Sequence, residues 1–372
     1  MSIIYFDTAS TTKIDSRVFD SMIPYFTEFY GNASSSHEFG QKSSSAIAKS
    51  RKQVAELINS NENEIIFTSG ATESINLALK GYIEANYDKG NHIVTTKTEH
   101  KAVLATCEYL ETKGVEITYL DVDTDGLISL SELEKSIRPD TILICIMHVN
   151  NETGIIQPIE KIGTIAKKNK ITFFCDATQA VGKISIDVIR DKIDMLCFSG
   201  HKLNAPKGIG ILYKSKAIEI TPLLHGGSQE KGMRPGTYNT PLIVGLGKAC
   251  EIAIQEQEIN YQLTKKIHEY ITNKILDING TKVIGSPIHR IFNIIDFIIP
   301  GINAETFIPN ATHYALSNGS ACTSQIIESS HVLKAMGLTD QECNQTIRIS
   351  IDHQIKESEV DEFITYIKKY IK

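Results

Sequence analysis

Short runs rich in β-branched and aromatic residues alternate along the chain with longer stretches in which apolar positions recur every three or four residues. EIIFTS (64–69) precedes a helical pattern from Glu73 to about Ala85, and HIVTTK (92–97) precedes one near Ala102–Lys113. VEITYLDV (115–122) leads into SLSELEKSI, and TILICIMHV (141–149) into IEKIGTIAKKN. ITFFCDA (171–177), DMLCFSG (194–200) and IGILYK (209–214) read as further strands. A strand-then-helix rhythm predicts a mainly parallel sheet covered by helices, an α/β fold. The strands are almost continuously apolar, as expected where both sheet faces are buried.

The rhythm changes after Pro241. A long helical pattern runs from about Leu242 to Leu276, followed by the apolar run IFNIIDFII, a loop-rich segment around SNGSACTS and an amphipathic helix from Glu357. This predicts a large domain over 16–245 and a smaller α+β domain made of 1–15 and 246–372. A chain of 372 residues is longer than one hydrophobic core usually organises.

Hydrophobic residues make up 41% of the chain and charged residues 22%, with a net charge of −6 and no block of like charges. That profile argues against stable direct nucleic-acid binding and against a polybasic membrane surface. No apolar run approaches the ~18 residues of a membrane span. None of the seven cysteines are spaced as CxxC, which excludes a zinc ribbon and a thioredoxin motif. Cys145, Cys175 and Cys197 lie in apolar runs and read as small buried hydrophobes. The odd count, with no signal peptide ahead of YFDTAS, points to a reducing cytoplasm.

Asp121, Asp123, Asp125, Gly126, Ile128 and Glu132 match the D-x-D-x-D-G-x5-E calcium-loop pattern. That pattern needs a helix on each side, whereas VEITYLDV alternates like a strand. A strand–turn–helix connection, with Ser129 or Ser131 capping the helix, is expected instead, and no metal site.

Four stations fall near strand ends, where open α/β sheets bind ligands. SGATE (69–73) can cradle an anion on free first-turn N–H groups, with Thr72 adding a hydroxyl, or be an ordinary helix cap. Asp176 in DATQ ends a buried strand, where a carboxylate is costly unless paired, with a protonated ring nitrogen or with a structural cation. In SGHK, Ser199 and His201 can donate to phosphate and Lys202 can form a Schiff base if burial lowers its pKa; a lysine there is otherwise simply solvated. His100 in TEHKA can stack on a planar ring or move protons, or be structural. A phosphate cradle, a carboxylate, an imidazole and a lysine together are what pyridoxal phosphate needs. Cys322 in SNGSACTS reads either as a nucleophile on a small-residue loop or as a residue of a tight turn.

The motifs YFDTASTT, YGNASSSHEFG, FTSGATESINLAL, TEHKAVL, MHVNNETGIIQPI, CDATQAVGK, FSGHKLNAPKGIG, HGGSQEKGMRPGT, SNGSACTS, SSHVLKAMGL and IRIS, in this order, resemble the cysteine desulfurases of the class V, fold-type-I pyridoxal-phosphate family. The resemblance implies that Lys202 binds the cofactor, Asp176 pairs with its ring nitrogen, Gln179 bonds its ring oxygen and His100 stacks on the ring. It places Ala71, Thr72, Ser199 and His201 at the phosphate, with Thr237 completing that site from the other subunit of a homodimer. Asn151, Asn32 and Arg348 would hold the carboxylate of L-cysteine, Asn151 also touching the cofactor, and Arg348 suits a bidentate grip. Cys322 would take the sulfur as a persulfide, L-alanine would leave, and a protein acceptor would receive the sulfur. Leu203, Asn204, Ala205, Pro235, Tyr238 and Asn318 depart from the family pattern near the site. GNASSSHEFG and SSHVLKAMGL resemble desulfurases of bacterial DNA phosphorothioation systems. The chain stops after YIKKYIK, short of the tail with which housekeeping relatives dock a scaffold. Iron–sulfur cluster supply, tRNA thiolation and another class V activity such as selenocysteine lyase are the alternatives.

Overall fold

The computed structural model describes residues 3–319 and 329–371. Seven strands form one sheet in the order Ile65–Thr68, Gly210–Lys214, Met195–Ser199, Thr172–Asp176, Thr141–Cys145, His92–Thr96, Glu116–Leu120. Gly210–Lys214 runs antiparallel to both its neighbours, and the other pairings are parallel. Strand periodicity sends successive side chains to opposite faces. Phe173 and Cys175 join the core on one face and Phe174 the core on the other; Leu196 and Phe198 part from Met195 and Cys197 in the same way. Two buried faces explain why these strands carry no polar alternation, and Cys145, Cys175 and Cys197 are buried as expected.

The helices follow the expected pattern, with Ala71–Asn86, Lys101–Glu111 and Ile159–Lys168 filling the connections. One long helix escaped the sequence pattern. Glu38–Leu57 contains FGQKSSSAIAKS, whose serines lower helix propensity and blur the apolar stripe. Its small residues serve close packing against the helix Thr240–Leu276: a Cβ added at Gly247 would come within 2.6 Å of Ser50.

Thr240–Leu276 is continuous for 37 residues, roughly 55 Å. Its first half (Ile243, Leu246, Ala249, Cys250) is buried in the main core. Its last turns (Ile271, Ile275) belong to a second core with Ile4, Phe6, Phe297, Phe307 and Phe363. The 245/246 division expected from sequence falls inside this helix. Around the second core lie an antiparallel sheet of Thr346–Ser350, Ile294–Ile298 and Lys282–Val283, and the parallel pair Ile4–Tyr5 with Tyr314–Ala315.

The calcium-like stretch follows the strand Glu116–Leu120, closes by a bridge between Val122 and Ile128, and enters the helix Leu130–Ser136, capped by Ser129. Asp123 Oδ1 accepts the N–H groups of Asp125 and Leu127, while Asp121 and Glu132 pair with Lys97 and Lys135. The carboxylates thus serve the local turn and neighbouring lysines. Among the described residues no group of three or more His, Cys, Asp or Glu side chains is placed to hold a metal, and no helix is long and apolar enough to cross a membrane.

Candidate active site

The C-terminal ends of five strands (65–68, 92–96, 141–145, 172–176 and 195–199) open on one edge of the sheet, and a cavity of about 580 Å³ lies there. Its wall brings together Ala71, Thr72, His100, Asn151, Asp176, Gln179, Ser199, His201, Lys202 and Arg348, which the sequence scatters over most of its length. Asn32 and Thr237 do not line it: both are exposed, Asn32 bonding Ser34 N and Thr237 following the Arg234–Gly236 turn. Cys322 lies outside the described residues.

Gly70 stands at the N-cap of Ala71–Asn86, and no side chain caps that helix start. The first-turn N–H groups therefore remain open toward an anion. A Cβ on Gly210 would lie 2.6 Å from the Gly70 Cα, so glycine at 210 is what lets the cradle sit against the sheet. Glu73, which would repel an anion, accepts instead from Ser69 N (2.7 Å) and Arg234 Nε (2.9 Å).

Lys202 follows Met195–Ser199 in a short 3-10 turn. Its Nζ bonds the carbonyls of Ala9 and Ser10, the latter at 2.6 Å. Burial first, and then the Arg348 guanidinium, bring its pKa down from the ordinary lysine range to about 8, against the pull of Asp7 and Asp176. His100 caps Lys101–Glu111 by accepting Ala102 N at Nδ1 (3.1 Å). Burial lowers its pKa, so the ring is neutral at pH 7 and carries its proton on Nε2. Burial likewise brings His201 down to about 4.

Asp176 is 5% exposed, accepts Thr178 N at 2.9 Å, and makes no ion pair among the described residues. A buried carboxylate in that position calls for a cationic N–H from a ligand. Arg348 is 3% exposed. Its Nη1 reaches Asn151 O (2.8 Å), its Nη2 reaches Asp7 Oδ1 and Ser10 Oγ (2.8 Å each), and its Nε is buried without a partner among the described residues.

Pyridoxal phosphate fits this donor set. The uncapped helix start with the Thr72 and Ser199 hydroxyls suits a phosphate, Asp176 a protonated ring nitrogen, and the Lys202 amine an aldehyde. Lys207 on the cavity wall adds a further cationic donor for an anionic ligand.

The sequence reading missed the residues that cross over this edge from the N-terminus. Asp7, Ala9, Ser10 and Thr11 reach the site because Thr12 is tied to the His201 carbonyl (N at 2.9 Å, Oγ1 at 3.0 Å) and Thr12 Oγ1 accepts Asn204 N. The small polar run DTASTT was a signal for such a crossing, but without a partner to assign. Asn204, one of the departures from the family pattern, adopts φ +53° and bonds Lys13 O.

The family described as Aminotransferase class-V matches residues 4–363 of the chain. A cysteine desulfurase IscS of Methanosarcina thermophila is 45% identical over 370 residues, covering 99% of this chain and 92% of that protein. Among solved structures, a NifS-like protein superposes with a TM-score of 0.93 at 38% identity, covering 99% of this chain and 98% of the other. A structure described as SspA in complex with cysteine gives a TM-score of 0.85 at 39% identity, over 94% of this chain and 98% of that one.

Proposed function

The chain belongs to the class V aminotransferase family, as a pyridoxal-phosphate-dependent cysteine desulfurase, and from that premise we propose that it moves the sulfur of L-cysteine onto Cys322, releases L-alanine and serves a protein acceptor. The observation that carries this reading is the convergence, in one cavity, of an amine with a pKa of about 8, an unpaired buried carboxylate and a buried arginine.

Pyridoxal phosphate, when bound, supplies an electron sink for charge developing at the substrate α-carbon. Lys202 Nζ would hold its aldehyde carbon. Asp176 would hold the ring nitrogen in its protonated form, Gln179 would donate to the ring oxygen, and His100 would lie against the ring. Ala71 N, Thr72, Ser199 and His201 would hold the phosphate, with Thr237 reaching in from a second copy. That makes the enzyme a homodimer with composite sites.

Arg348, with Asn151, would orient the substrate carboxylate, fixing which bond at the α-carbon faces the lysine; Asn32, outside the cavity, could take part only by reaching in from a second copy. An amine with a pKa near 8 is neutral in about a quarter of molecules at pH 7.5, far more than an ordinary lysine, so Lys202 Nζ can accept the Cα proton. His100 Nε2–H would be available for proton movement in the same cavity. The Cys322 thiolate attacks the substrate Sγ. The Sγ–Cβ bond breaks with its electron pair going to Cβ, Cβ takes a proton to become the alanine methyl, Lys202 Nζ returns a proton to Cα, and Cys322 is left as a persulfide.

With L-cysteine and dithiothreitol, the purified enzyme should form alanine and sulfide in equal amounts. Lys202→Ala should lose both together with the cofactor absorbance, whereas Cys322→Ser should keep the absorbance and lose alanine formation. Wild-type turnover by the Cys322→Ser variant would exclude that residue as sulfur acceptor. We place the enzyme in the cytoplasm. We take DNA phosphorothioation as the destination of the sulfur, on the resemblance of GNASSSHEFG and SSHVLKAMGL. Trapping mixed disulfides at Cys322 decides the matter: an acceptor from iron–sulfur assembly or tRNA thiolation would redirect the pathway, and faster turnover of L-selenocysteine would make the enzyme a selenocysteine lyase.

A further inference from the structure

Gln179 is buried, and its amide is held at both ends. Nε2 donates to Ala9 O at 2.9 Å, and Oε1 accepts from Lys183 Nζ at 2.9 Å. The Ala9 carbonyl also accepts from Lys202 Nζ, so it joins the two side chains that face the cofactor pocket. An amide can enter such a site either way round, and what settles the choice is a neighbour with only one kind of hydrogen-bonding group. The ammonium of Lys183 has three donors and no acceptor. Turning the Gln179 amide over would set Nε2 against Nζ, donor against donor, and Oε1 against the Ala9 oxygen, acceptor against acceptor. With the observed orientation, one Nε2 hydrogen goes to Ala9 O and the second remains for the cavity.

Lys183 occupies a surprising place for a lysine. It makes no ion pair among the described residues, and the charged groups facing it are Lys202 and Arg348, both cationic. Burial and those two cations push its pKa down to about 7, so the donor-only ammonium that fixes the amide prevails below that pH. A cation kept in unfavourable surroundings calls for a reason other than stability.

We infer that Lys183 is a positioning residue that locks the Gln179 amide so that an N–H, and not a carbonyl oxygen, is presented to the anionic ring oxygen of the cofactor. This rests on the cavity being the cofactor site. Four variants of the full-length enzyme test it, with the cofactor dissociation constant from equilibrium dialysis and the pH titration of the cofactor absorbance as readouts. Lys183→Met, which lacks the donor, should weaken cofactor binding about 3- to 10-fold, the scale of one hydrogen bond. It should also raise the spectral pH midpoint, because a nearby positive charge and a donor to the anionic oxygen are both lost. Lys183→Arg, whose guanidinium also offers donors alone, should stay within about twofold of wild type. In a Gln179→Ala background the Lys183→Met change should add less than about twofold, since the residue it orients is gone. Should Lys183→Met not fold, Lys183→Gln, which lets the facing amide turn either way, should show a loss in the same direction.

Unchanged binding in Lys183→Met or Lys183→Gln, or a full additive loss in the Gln179→Ala background, overturns the inference and leaves the cofactor site standing. A wild-type enzyme that takes up no pyridoxal phosphate overturns the site and the inference together.

Discussion

At the scale of single residues, the chemistry depends on how burial is offset. Lys202 loses solvation and sits beside a guanidinium, and both effects favour the neutral amine. Capture of pyridoxal phosphate by the cofactor-free enzyme needs that neutral form. Its rate should therefore rise with pH through a midpoint near 8, in place of the ordinary lysine value of 10.5. Arg348→Ala removes a repelling cation and leaves Asp7 without its partner, so the protonated lysine is favoured and the midpoint should move up by about 0.5–1 unit. Stopped-flow absorbance over pH 6 to 10 reads this directly; a midpoint that stays put would assign the whole shift to burial.

At the scale of elements, the loop before the long helix shows how a strained segment is held. Glu230 and Lys231 both adopt left-handed backbone (φ 47° and 56°), strained for non-glycine residues and maintained only by strong surroundings. Glu230 provides them. Its buried carboxylate takes both Nη atoms of Arg51 (2.6 and 2.9 Å) and the Phe67 N–H (2.9 Å), and its own N–H donates to Tyr238 Oη. Arg51 also lies over the Phe67 ring, 4.6 Å from its centroid. The turn presenting Thr237 is thereby fastened to the main sheet, and Tyr238, a departure from the family pattern, is part of the fastening. Arg51→Met leaves the carboxylate buried and unpaired and should cost about 3–5 kcal/mol in urea unfolding. A loss under about 1 kcal/mol, the range of an exposed pair, would show that the pair does not hold the turn.

At the scale of the whole molecule, the helix Thr240–Leu276 links the two cores, burying Leu246 and Cys250 in one and Ile271 and Ile275 in the other. We propose that the two cores behave as two domains coupled through it, with the boundary inside this helix beyond Cys250, later than the 245/246 division expected from sequence. Glu258 is exposed between the two buried halves. Glu258→Pro removes a backbone hydrogen bond and crowds the preceding turn, at about 3 kcal/mol or more. It should split thermal unfolding into two transitions, whereas one shifted transition would mean that the cores also cooperate through their other contacts.

The sequence by itself determined the strands of the main sheet, the burial on both faces of all but the edge strand Glu116–Leu120, and the stations at their ends. Apolar runs and glycine–serine turns are local signals, and burial follows directly from them. It did not reveal the serine-rich helix Glu38–Leu57, because its close packing is earned against a partner some two hundred residues away, where small size matters more than propensity. Nor did it reveal that Asp7 and Ser10 would hold Arg348, or that Lys183 would set the Gln179 amide. The Asp7 and Ser10 pairings with Arg348 join residues that become neighbours only when the N-terminal segment crosses the sheet edge, and the local Gln179–Lys183 pair meets its other partner, the Ala9 carbonyl, only through that same crossing. Residue types thus announced the chemistry. The tertiary structure decided its electrostatics, because a pKa or an amide orientation depends on which groups face one another after solvent has been excluded.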